Sequence, residues 1–370
     1  MIQQAKLSEV KSRNECNIYN NGFLPLITAP MYSVVNNDNY KKFIDNKINV
    51  CLPRTTFINK YELNQYNENI FISMSLYEFI EQFLEENFEN ANHYKVCIDT
   101  ANGNMEILHN AIKSAKELHG DKLTIMSGNV STVNAFYKLA QTGCDYIRVG
   151  IGGSYVCNTT NNTGVGQENL ELLIKECYRR VKQNIEHWKF YNNLSELVSK
   201  PDYDISKVKI VADGISTYIK QCQTKYGFND NGYAAINKLL WCGADLVMIG
   251  GLFANSIESA SDKYILHNNN YKQIPSSEAE LIYHDTDIYS KHIGMSTIEA
   301  QHYYKSQLSH SEGKIKYTKI NYSLNDWLNG CDTQDEYPYL SGFKHNLQSA
   351  MSYTNAFNLL EFKNKHIYED

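Results

Sequence analysis

The sequence lacks long apolar runs and any excess of positive charge. Its longest apolar stretches, FLPLITAPM and ADLVMIGGLFA, are too short to span a bilayer, and the N-terminal MIQQAKLSEVKSRNEC has no apolar signal-peptide core. The formal net charge is −6 and no basic stripe is present, which argues against a nucleic acid polymer as a partner. These absences predict a cytoplasmic protein.

Paired cysteines are also missing. The nine cysteines stand singly, without a C-x-x-C motif or a close Cys/His cluster, at positions 16, 51, 97, 144, 157, 177, 222, 242 and 331. This spacing argues against both a structural zinc site and a disulfide framework, and it predicts reduced thiols. With 370 residues, of which 42% are hydrophobic, the chain is long enough for one large domain or two ordinary ones.

What the sequence does contain is a repeated α/β pattern. Eight short β-branched runs are each followed by a turn and usually by an amphipathic helical stretch; they lie at 24–28, 48–52, 70–74, 95–99, 123–127, 145–149, 207–213 and 244–250. Nearly continuous apolar strands that alternate with helices indicate a parallel sheet buried on both faces. Eight units favour a closed (β/α)8 TIM barrel over an open doubly wound sheet, with the residues after each strand at its mouth.

We expect a single barrel domain over residues 1–370, with additions. Residues 187–206 lengthen the connection before the seventh strand, and 225–232 interrupt the helical region after it. The polar, tyrosine-rich segment from about 284 to 330 is interpreted as a long loop or flap over the mouth, followed by a C-terminal segment over 331–370.

The loop VGIGGSYVCNTTNNTGVGQ (149–167) carries the strongest chemical signal. Its glycines allow the backbone to present N–H groups to a ligand or carbonyl groups to a cation. Cys157 would then be displayed at the mouth, where its thiolate could act as a nucleophile. The alternative is that Cys157 packs as a small buried apolar residue, as most free cysteines do.

This loop resembles the active-site loop of the IMP dehydrogenase and GMP reductase family. Further motifs follow in the family's order: SRNEC, LPLITAPMYSVV, IDTANGN, MSGNVST, ADG, GADLVMIGG, IGMS, SEGK and SLNDWL…LSGFKHNLQSAMSYTNAFNLLEF. The resemblance covers nearly the whole chain and implies the barrel fold. It also implies a homotetramer, while the paired CBS motifs of a regulatory domain are absent from the sequence.

The resemblance implies catalytic roles for three residues. Cys157 matches the nucleophile that adds to carbon 2 of a purine nucleotide, and Thr159 matches the threonine that handles the leaving or attacking group. Glu312 in SEGK matches a flap residue that contacts the purine. A carboxylate there can accept a hydrogen bond from the purine or relay a proton, and the alternative is a solvated glutamate.

Other matched residues are implied to bind the substrate and the cofactor. On the substrate side they are Asp213 at the ribose, with a helix-capping role as its alternative, and Gly214, Gly250, Gly251, Met295, Ser296 and Gly313. On the nicotinamide side they are Asp99, Asn102, Gly103, Asn129 and Arg54. The cofactor implied is NADPH, with NADH as the alternative, and a monovalent cation such as K⁺ is predicted at the backbone of Gly150, Gly152 and Cys157.

Three features favour a reductase over a dehydrogenase. IDTANG is closer to the reductase form of its loop, the stretch from Met295 to Glu312 lacks the flap arginine that activates water in dehydrogenases, and no CBS domain is inserted. The sequence therefore predicts NADPH-dependent deamination of GMP to IMP and ammonia. IMP dehydrogenase activity and a non-catalytic nucleotide-binding role stay open as alternatives.

Three departures from the family pattern fall on the phosphate subsite. Tyr155 replaces a serine, Ile215 replaces the second glycine after the ribose-binding aspartate, and His292 replaces an aromatic hydroxyl. They predict either an altered mode of phosphate binding or a related ligand, such as a deoxynucleotide.

Overall fold

The structure of the chain is a computed structural model. The structure describes residues 1–54, 68–85, 93–153, 159–191, 205–229, 231–294, 297–303, 314–332 and 339–365.

Eight parallel strands form the central sheet. They are β1 (Leu26–Thr28), β2 (Val50–Leu52), β3 (Ile70–Met74), β4 (Tyr94–Ile98), β5 (Leu123–Val130), β6 (Tyr146–Val149), β7 (Lys209–Ala212) and β8 (Leu246–Ile249). Their order is β1-β8-β7-β6-β5-β4-β3-β2. A parallel bridge between Ile27 and Asn49 brings the two ends of this order together, with Thr28 N–H donating to the Asn49 carbonyl at 3.0 Å. The predicted (β/α)8 barrel is therefore confirmed.

Helices follow the strands and pack around the sheet. They are α1 (Tyr40–Asp45), α2 (Leu76–Ile80), α3 (Glu106–His119), α4 (Val133–Ala140), α5 (Thr159–Thr163), α6 (Leu170–Tyr191), α7 (Ile215–Tyr226), α8 (Tyr233–Trp241) and α9 (Gly251–Ala254). Side-chain caps begin several of them: Ser75 and Glu78 form a reciprocal capping box before α2, and Thr132 accepts from Ala135 N–H before α4.

The main core lies inside the barrel and between the strands and the helices. All five residues of β3 are buried, as are all three residues of β1 and of β2. Burial on both faces is what the continuous apolar runs predict for a parallel sheet. The amphipathic helix α3 buries Leu108, Ile112 and Ala115 on one face.

A second, antiparallel sheet follows the barrel. It contains β9 (Lys263–His267), β10 (Asn270–Ile274), β11 (Ile288–Ile293) and β12 (Ile315–Lys319) in the order β10-β9-β11-β12. The helices α10 (Ser276–Ile282), α11 (Ile298–Tyr303) and α12 (Leu324–Asn329) lie between and after these strands along the chain. The segment from about 284 to 330, interpreted from the sequence as a long loop or flap, contains the paired strands β11 and β12 in its described part, and its position over the mouth stays a prediction.

The C-terminal segment packs back on the barrel. It continues through β13 (Gly330–Asp332), β14 (Tyr339–Ser341), α13 (Phe343–Tyr353) and α14 (Leu359–Asn364). Trp327 stacks on Phe343 at 5.1 Å between ring centroids, and its indole N–H donates to the Asn231 carbonyl at 3.0 Å. These contacts tie the tail to the connection between α7 and α8.

Of the two predicted additions to the barrel, the structure describes most of the segment 225–232 but only part of the segment 187–206. The segment 225–232 does separate two helices, since α7 ends at Tyr226 and α8 begins at Tyr233. In the segment 187–206 the helix α6 continues to Tyr191, while residues 192–204 lie outside the described residues. Among the helices that the structure describes, none combines the length and the apolar character needed to cross a membrane.

Candidate active site at the barrel mouth

Polar side chains gather where the barrel strands end. Arg54 follows β2, Asp99 follows β4, Asn129 lies near the end of β5 and Asp213 follows β7. Because parallel strands end at the same side of a barrel, these residues lie at one mouth. The side chains are also joined by hydrogen bonds, which makes them a single connected cluster.

Asp99 is held between two arginines. Its Oδ2 accepts from Nε and Nη2 of Arg54, both at 3.0 Å, and its Oδ1 accepts from Nη1 of Arg148 at 3.0 Å. Burial by itself raises the pKa of Asp99, but the charges of Arg54 and Arg148 and their hydrogen bonds outweigh it, so the pKa lies below its ordinary value. Asp99 is therefore a carboxylate at neutral pH.

Arg148 and Asn129 connect Asp99 to Asp213. The Arg148 side chain is only 6% exposed, and its Nε donates to Asn129 Oδ1 at 3.0 Å. The Asn129 amide in turn donates to Asp213 Oδ2 and to the Gly150 carbonyl, both at 2.7 Å. Arg148 Nε also lies 3.7 Å from Asp213 Oδ2. One buried cation thus links the residues predicted on the nicotinamide side to the residue predicted at the ribose.

Arg148 is not among the site residues predicted from the sequence. A signal was present, because an arginine stands inside DYIRV, a strand whose neighbours are apolar and which the pattern predicts to be buried. A cation in such a strand needs carboxylate partners at the strand ends around it. Asp213 follows the adjacent strand β7 and Asp99 follows β4, two strands away, and both are partners of Arg148.

Asp213 does not cap the following helix in the usual way. Its Oδ1 accepts from Gly214 N–H at 2.6 Å, and Gly214, with φ of 72°, is itself the residue before α7. An N-cap side chain would instead accept from an N–H inside the first turn. The carboxylate is therefore turned toward the mouth cluster rather than along the helix.

The glycine-rich loop passes very close to the start of α7. A Cβ atom on Gly153 would lie 1.7 Å from the Gly214 carbonyl oxygen, so only glycine fits there. Gly153 O accepts from Thr217 N–H at 2.9 Å, and Ile151 N–H donates to Gln167 Oε1 at 2.7 Å. These contacts position the loop that leads, along the chain, into residues 154–158.

Several predicted site residues lie outside the described residues. They are Cys157, Met295, Ser296, Glu312 and Gly313, together with the replaced position Tyr155. Thr159 begins α5, and its side chain likewise lies outside the part that the structure describes. The roles predicted for these residues stay predictions.

Of the residues predicted on the nicotinamide side, Gly103 contacts the mouth cluster, whereas Asn102 bonds within its own loop. Gly103 N–H donates to the Asn129 carbonyl at 2.9 Å, which brings this loop against the cluster. Asn102 is exposed and uses its Oδ1 to accept from Asn104 N–H at 2.9 Å. The Gly150 carbonyl, one of the predicted cation ligands, accepts from Asn129, and the cation site there stays a prediction.

The predicted phosphate region contains an unusual histidine. Gly250 precedes the short helix α9, which begins at Gly251. His292 in β11 is buried, with Nδ1 2.9 Å from Ser33 Oγ, and its Nε2 has no hydrogen-bond partner among the residues that the structure describes. Burial, and then the charge of Lys316, lowers the pKa of His292 to about 4, so the imidazole is neutral at pH 7.

Comparison with known proteins identifies the relatives of this chain. Residues 85–187 match the family model described as IMP dehydrogenase / GMP reductase domain. The resemblance to that family is confirmed. A GMP reductase of Mycoplasma mycoides is 27% identical over 96% of this chain and 91% of its own length. GMP reductases of Staphylococcus epidermidis and Staphylococcus aureus are 25% and 28% identical, over 95% and 73% of this chain and 88% and 74% of their own lengths.

The family match includes much of the mouth. Residues 85–187 contain Asp99, Asn129 and Arg148 and the whole glycine-rich loop, and Arg54 and Asp213 lie outside them. The arrangement offers a half-buried carboxylate, Asp213, that can accept hydrogen bonds from hydroxyl groups, with the buried cation Arg148 beside it.

Proposed function

We propose that the chain is an NADPH-dependent, GMP reductase-like oxidoreductase. It converts GMP, or a related guanine nucleotide such as dGMP, to IMP and ammonia. The observation that carries the proposal is the cluster at the mouth, where Arg54, Asp99, Arg148, Asn129 and Asp213 form one hydrogen-bonded network beside the loop that leads into Cys157. The curated relatives named GMP reductase support the same reaction class.

The bonds of this reaction balance around carbon 2 of the purine. The Cys157 thiolate adds to carbon 2, and the amino group leaves as ammonia after it gains a proton, with Thr159 and Glu312 in the proton relay. NADPH supplies the hydride that takes the place of the amino group. The carbon–sulfur bond then breaks and releases IMP and the thiolate. The net change is the exchange of a C–NH₂ group for C–H, with oxidation of one NADPH.

The residues at the mouth have binding and positioning roles in this scheme. Asp213 accepts hydrogen bonds from the ribose hydroxyls, Gly250 and Gly251 present N–H groups to the phosphate, and Gly214 and Gly313 line the substrate subsite. Met295 and Ser296 lie along the purine. Asp99, Asn102, Gly103, Asn129 and Arg54 hold the nicotinamide nucleotide, with NADH as the alternative donor and K⁺ at the loop backbone. The likeness to the family also supports a homotetramer.

The first test is loss of the absorbance of reduced nicotinamide when the protein is mixed with NADPH and GMP or dGMP. We expect turnover in the unaltered chain and in a Cys331→Ala control, because Cys331 lies in β13 and has no part in the scheme. Cys157→Ala should remove turnover.

Two results would contradict the proposal. If the protein forms reduced cofactor from IMP and NAD, if this needs Cys157, and if NADPH is not oxidised with GMP, the chain is a dehydrogenase. Protection of Cys157 from a thiol reagent by a purine nucleotide, with no turnover in either direction, would indicate a binding protein.

A further inference from the structure

A cavity lies at the opposite end of the barrel from the mouth. It has a volume of about 540 Å³ and is lined by residues at the beginnings of strands β3 to β7. Lys95 is the second residue of β4, Tyr146 is the first of β6 and Lys209 is the first of β7. We call it the lower cavity. Its size lies within the range of small-molecule sites.

Three lysines give the lower cavity an excess of positive charge. Lys95 and Lys207 have no carboxylate within ion-pairing distance among the residues that the structure describes. Lys209 Nζ is 3.8 Å from Asp245 Oδ1, but that oxygen is closer to Lys363 Nζ, at 2.5 Å. None of these three ammonium groups therefore has a close carboxylate of its own.

The carboxylates of the lower cavity do not cancel this charge. Asp145 is already bound by the buried Lys116 at 3.0 Å, and its Oδ2 also accepts from Ile125 N–H at 2.8 Å. Glu68 is exposed to solvent. Burial is the main cause that lowers the pKa of Lys95, while Glu68 and Asp145 act in the opposite direction without overcoming it. An anionic ligand would compensate this half-buried ammonium.

Neutral hydrogen-bonding groups and apolar side chains complete the lining. Burial, followed by the charges of Asp245 and Asp145, raises the pKa of Tyr146 to about 12, so its hydroxyl is a neutral donor at pH 7. His93 Nε2 lies 2.8 Å from Thr124 Oγ1, and burial lowers the pKa of His93. The buried Ile70 and Ile72 add apolar surface. The lining thus suits a molecule with an anionic end and an organic body.

We propose that the lower cavity binds a small organic phosphate. Phosphate oxygens accept hydrogen bonds from ammonium and hydroxyl donors, and several lysines around one phosphate group are a common arrangement. This site is separate from the mouth: Lys95 precedes Asp99 by four residues on β4, a distance of about 13 Å along a strand. The proposal does not depend on the reaction assigned to the mouth.

The test is calorimetric titration of the full chain with ADP. We expect ADP to bind, and its affinity to fall by at least about tenfold in Lys95→Gln and in Lys209→Gln, because each removes a charge-assisted hydrogen bond. Lys95→Arg should retain most of the affinity, since it keeps the charge. Lys41→Gln, which changes an exposed lysine of α1, is the matched control and should bind as the unaltered chain does.

Binding at the mouth is distinguished by Asp213→Asn. If ADP affinity falls in Asp213→Asn and not in the lysine variants, ADP occupies the mouth and the proposal is wrong. Absence of binding at millimolar ADP in the unaltered chain would also overturn it. Circular dichroism tests whether each variant is folded. In addition, mass spectrometry measures how far Lys95 reacts with an acylating reagent, and bound ADP should protect Lys95 from this reaction, which locates the ligand directly.

Discussion

Arg148 is the residue on which the mouth cluster depends. It is nearly inaccessible to solvent and contacts Asp99 and Asn129 directly, with Asp213 close by. A buried charge of this kind is costly unless its partners are present, and removing one partner leaves the others uncompensated. We therefore regard Arg148 as a positioning residue that holds two carboxylates and an amide in one arrangement.

Replacement of Arg148 tests this role. Arg148→Met should lower the free energy of unfolding by about 3 kcal/mol, because the buried Asp99 then keeps only Arg54 and the half-buried Asp213 loses its cation. Arg148→Lys should recover part of the stability but not the hydrogen bond to Asn129, so turnover should remain below that of the unaltered chain. Urea unfolding and the separate values of kcat and KM measure the two effects.

The matched control is a surface ion pair. Lys42 Nζ lies 2.6 Å from Glu280 Oε1, and both side chains are more than 40% exposed. Lys42→Met should cost at most about 1 kcal/mol and leave kcat unchanged. If Arg148→Met were no more destabilising than Lys42→Met, the cluster would not be the buried network described here.

At the scale of elements, the glycine-rich loop depends on its contact with the start of α7. Gly153 lies against Gly214, and the loop is fixed by one hydrogen bond from Thr217 N–H to the Gly153 carbonyl and one from Ile151 N–H to Gln167 Oε1. Local sequence predicts a flexible loop, but the position of that loop is decided by a helix about 60 residues further along the chain.

Gly153→Ala should displace this loop. The added Cβ atom would overlap the Gly214 carbonyl, so the loop must move, and we expect turnover to fall by about tenfold or more, since a shift of an ångström at a reacting group can have that effect. Kinetics with NADPH and GMP measure the change.

Gly22→Ala separates crowding from backbone strain. Gly22 has φ of 79°, but no atom lies within 4 Å of the place that an alanine Cβ would occupy. Alanine there should therefore cost about 1 kcal/mol through backbone strain alone and should not alter turnover. If Gly153→Ala and Gly22→Ala had equal turnover, the contact between Gly153 and Gly214 would not be needed for catalysis.

At the scale of the whole molecule, two buried basic groups of the second sheet couple folding to pH. Lys263 in β9 is fully buried; its Nζ donates to the Ser259 carbonyl at 2.9 Å, and burial lowers its pKa to about 7. His292 in β11 has its pKa lowered to about 4. Each group has a lower pKa in the folded chain than in the unfolded chain. At a pH between these two pKa values the group is protonated in the unfolded chain and neutral in the folded chain.

Stability should therefore rise with pH in two windows. The first runs from about pH 4 to 6.5, the ordinary pKa of histidine, and the change due to His292 is roughly 3 kcal/mol. The second runs from about pH 7 to 10.5 and is due to Lys263. Urea unfolding over this range measures both. His292→Gln should flatten only the lower window and Lys263→Met only the upper one; curves parallel to that of the unaltered chain would contradict the assignment.

Much of the fold could be predicted because it depends on local patterns. The eight apolar runs and the helices between them correspond to the strands and helices of the barrel, since burial of a parallel sheet on both faces requires continuous apolar strands. The second sheet was missed. Its strands β10 and β12 carry exposed residues at most positions, several of them polar, so they lack the apolar signal of the barrel strands.

For the mouth, the sequence by itself determined which residue types follow the strands, including Asp99, Asn129 and Asp213, because strand ends can be read from local patterns. Only the tertiary structure decided that Arg148 joins them, that Gly153 touches Gly214, and that three lysines share a cavity at the other end of the barrel. These contacts connect residues far apart in sequence, and closure of the barrel, rather than any local preference, brings them together.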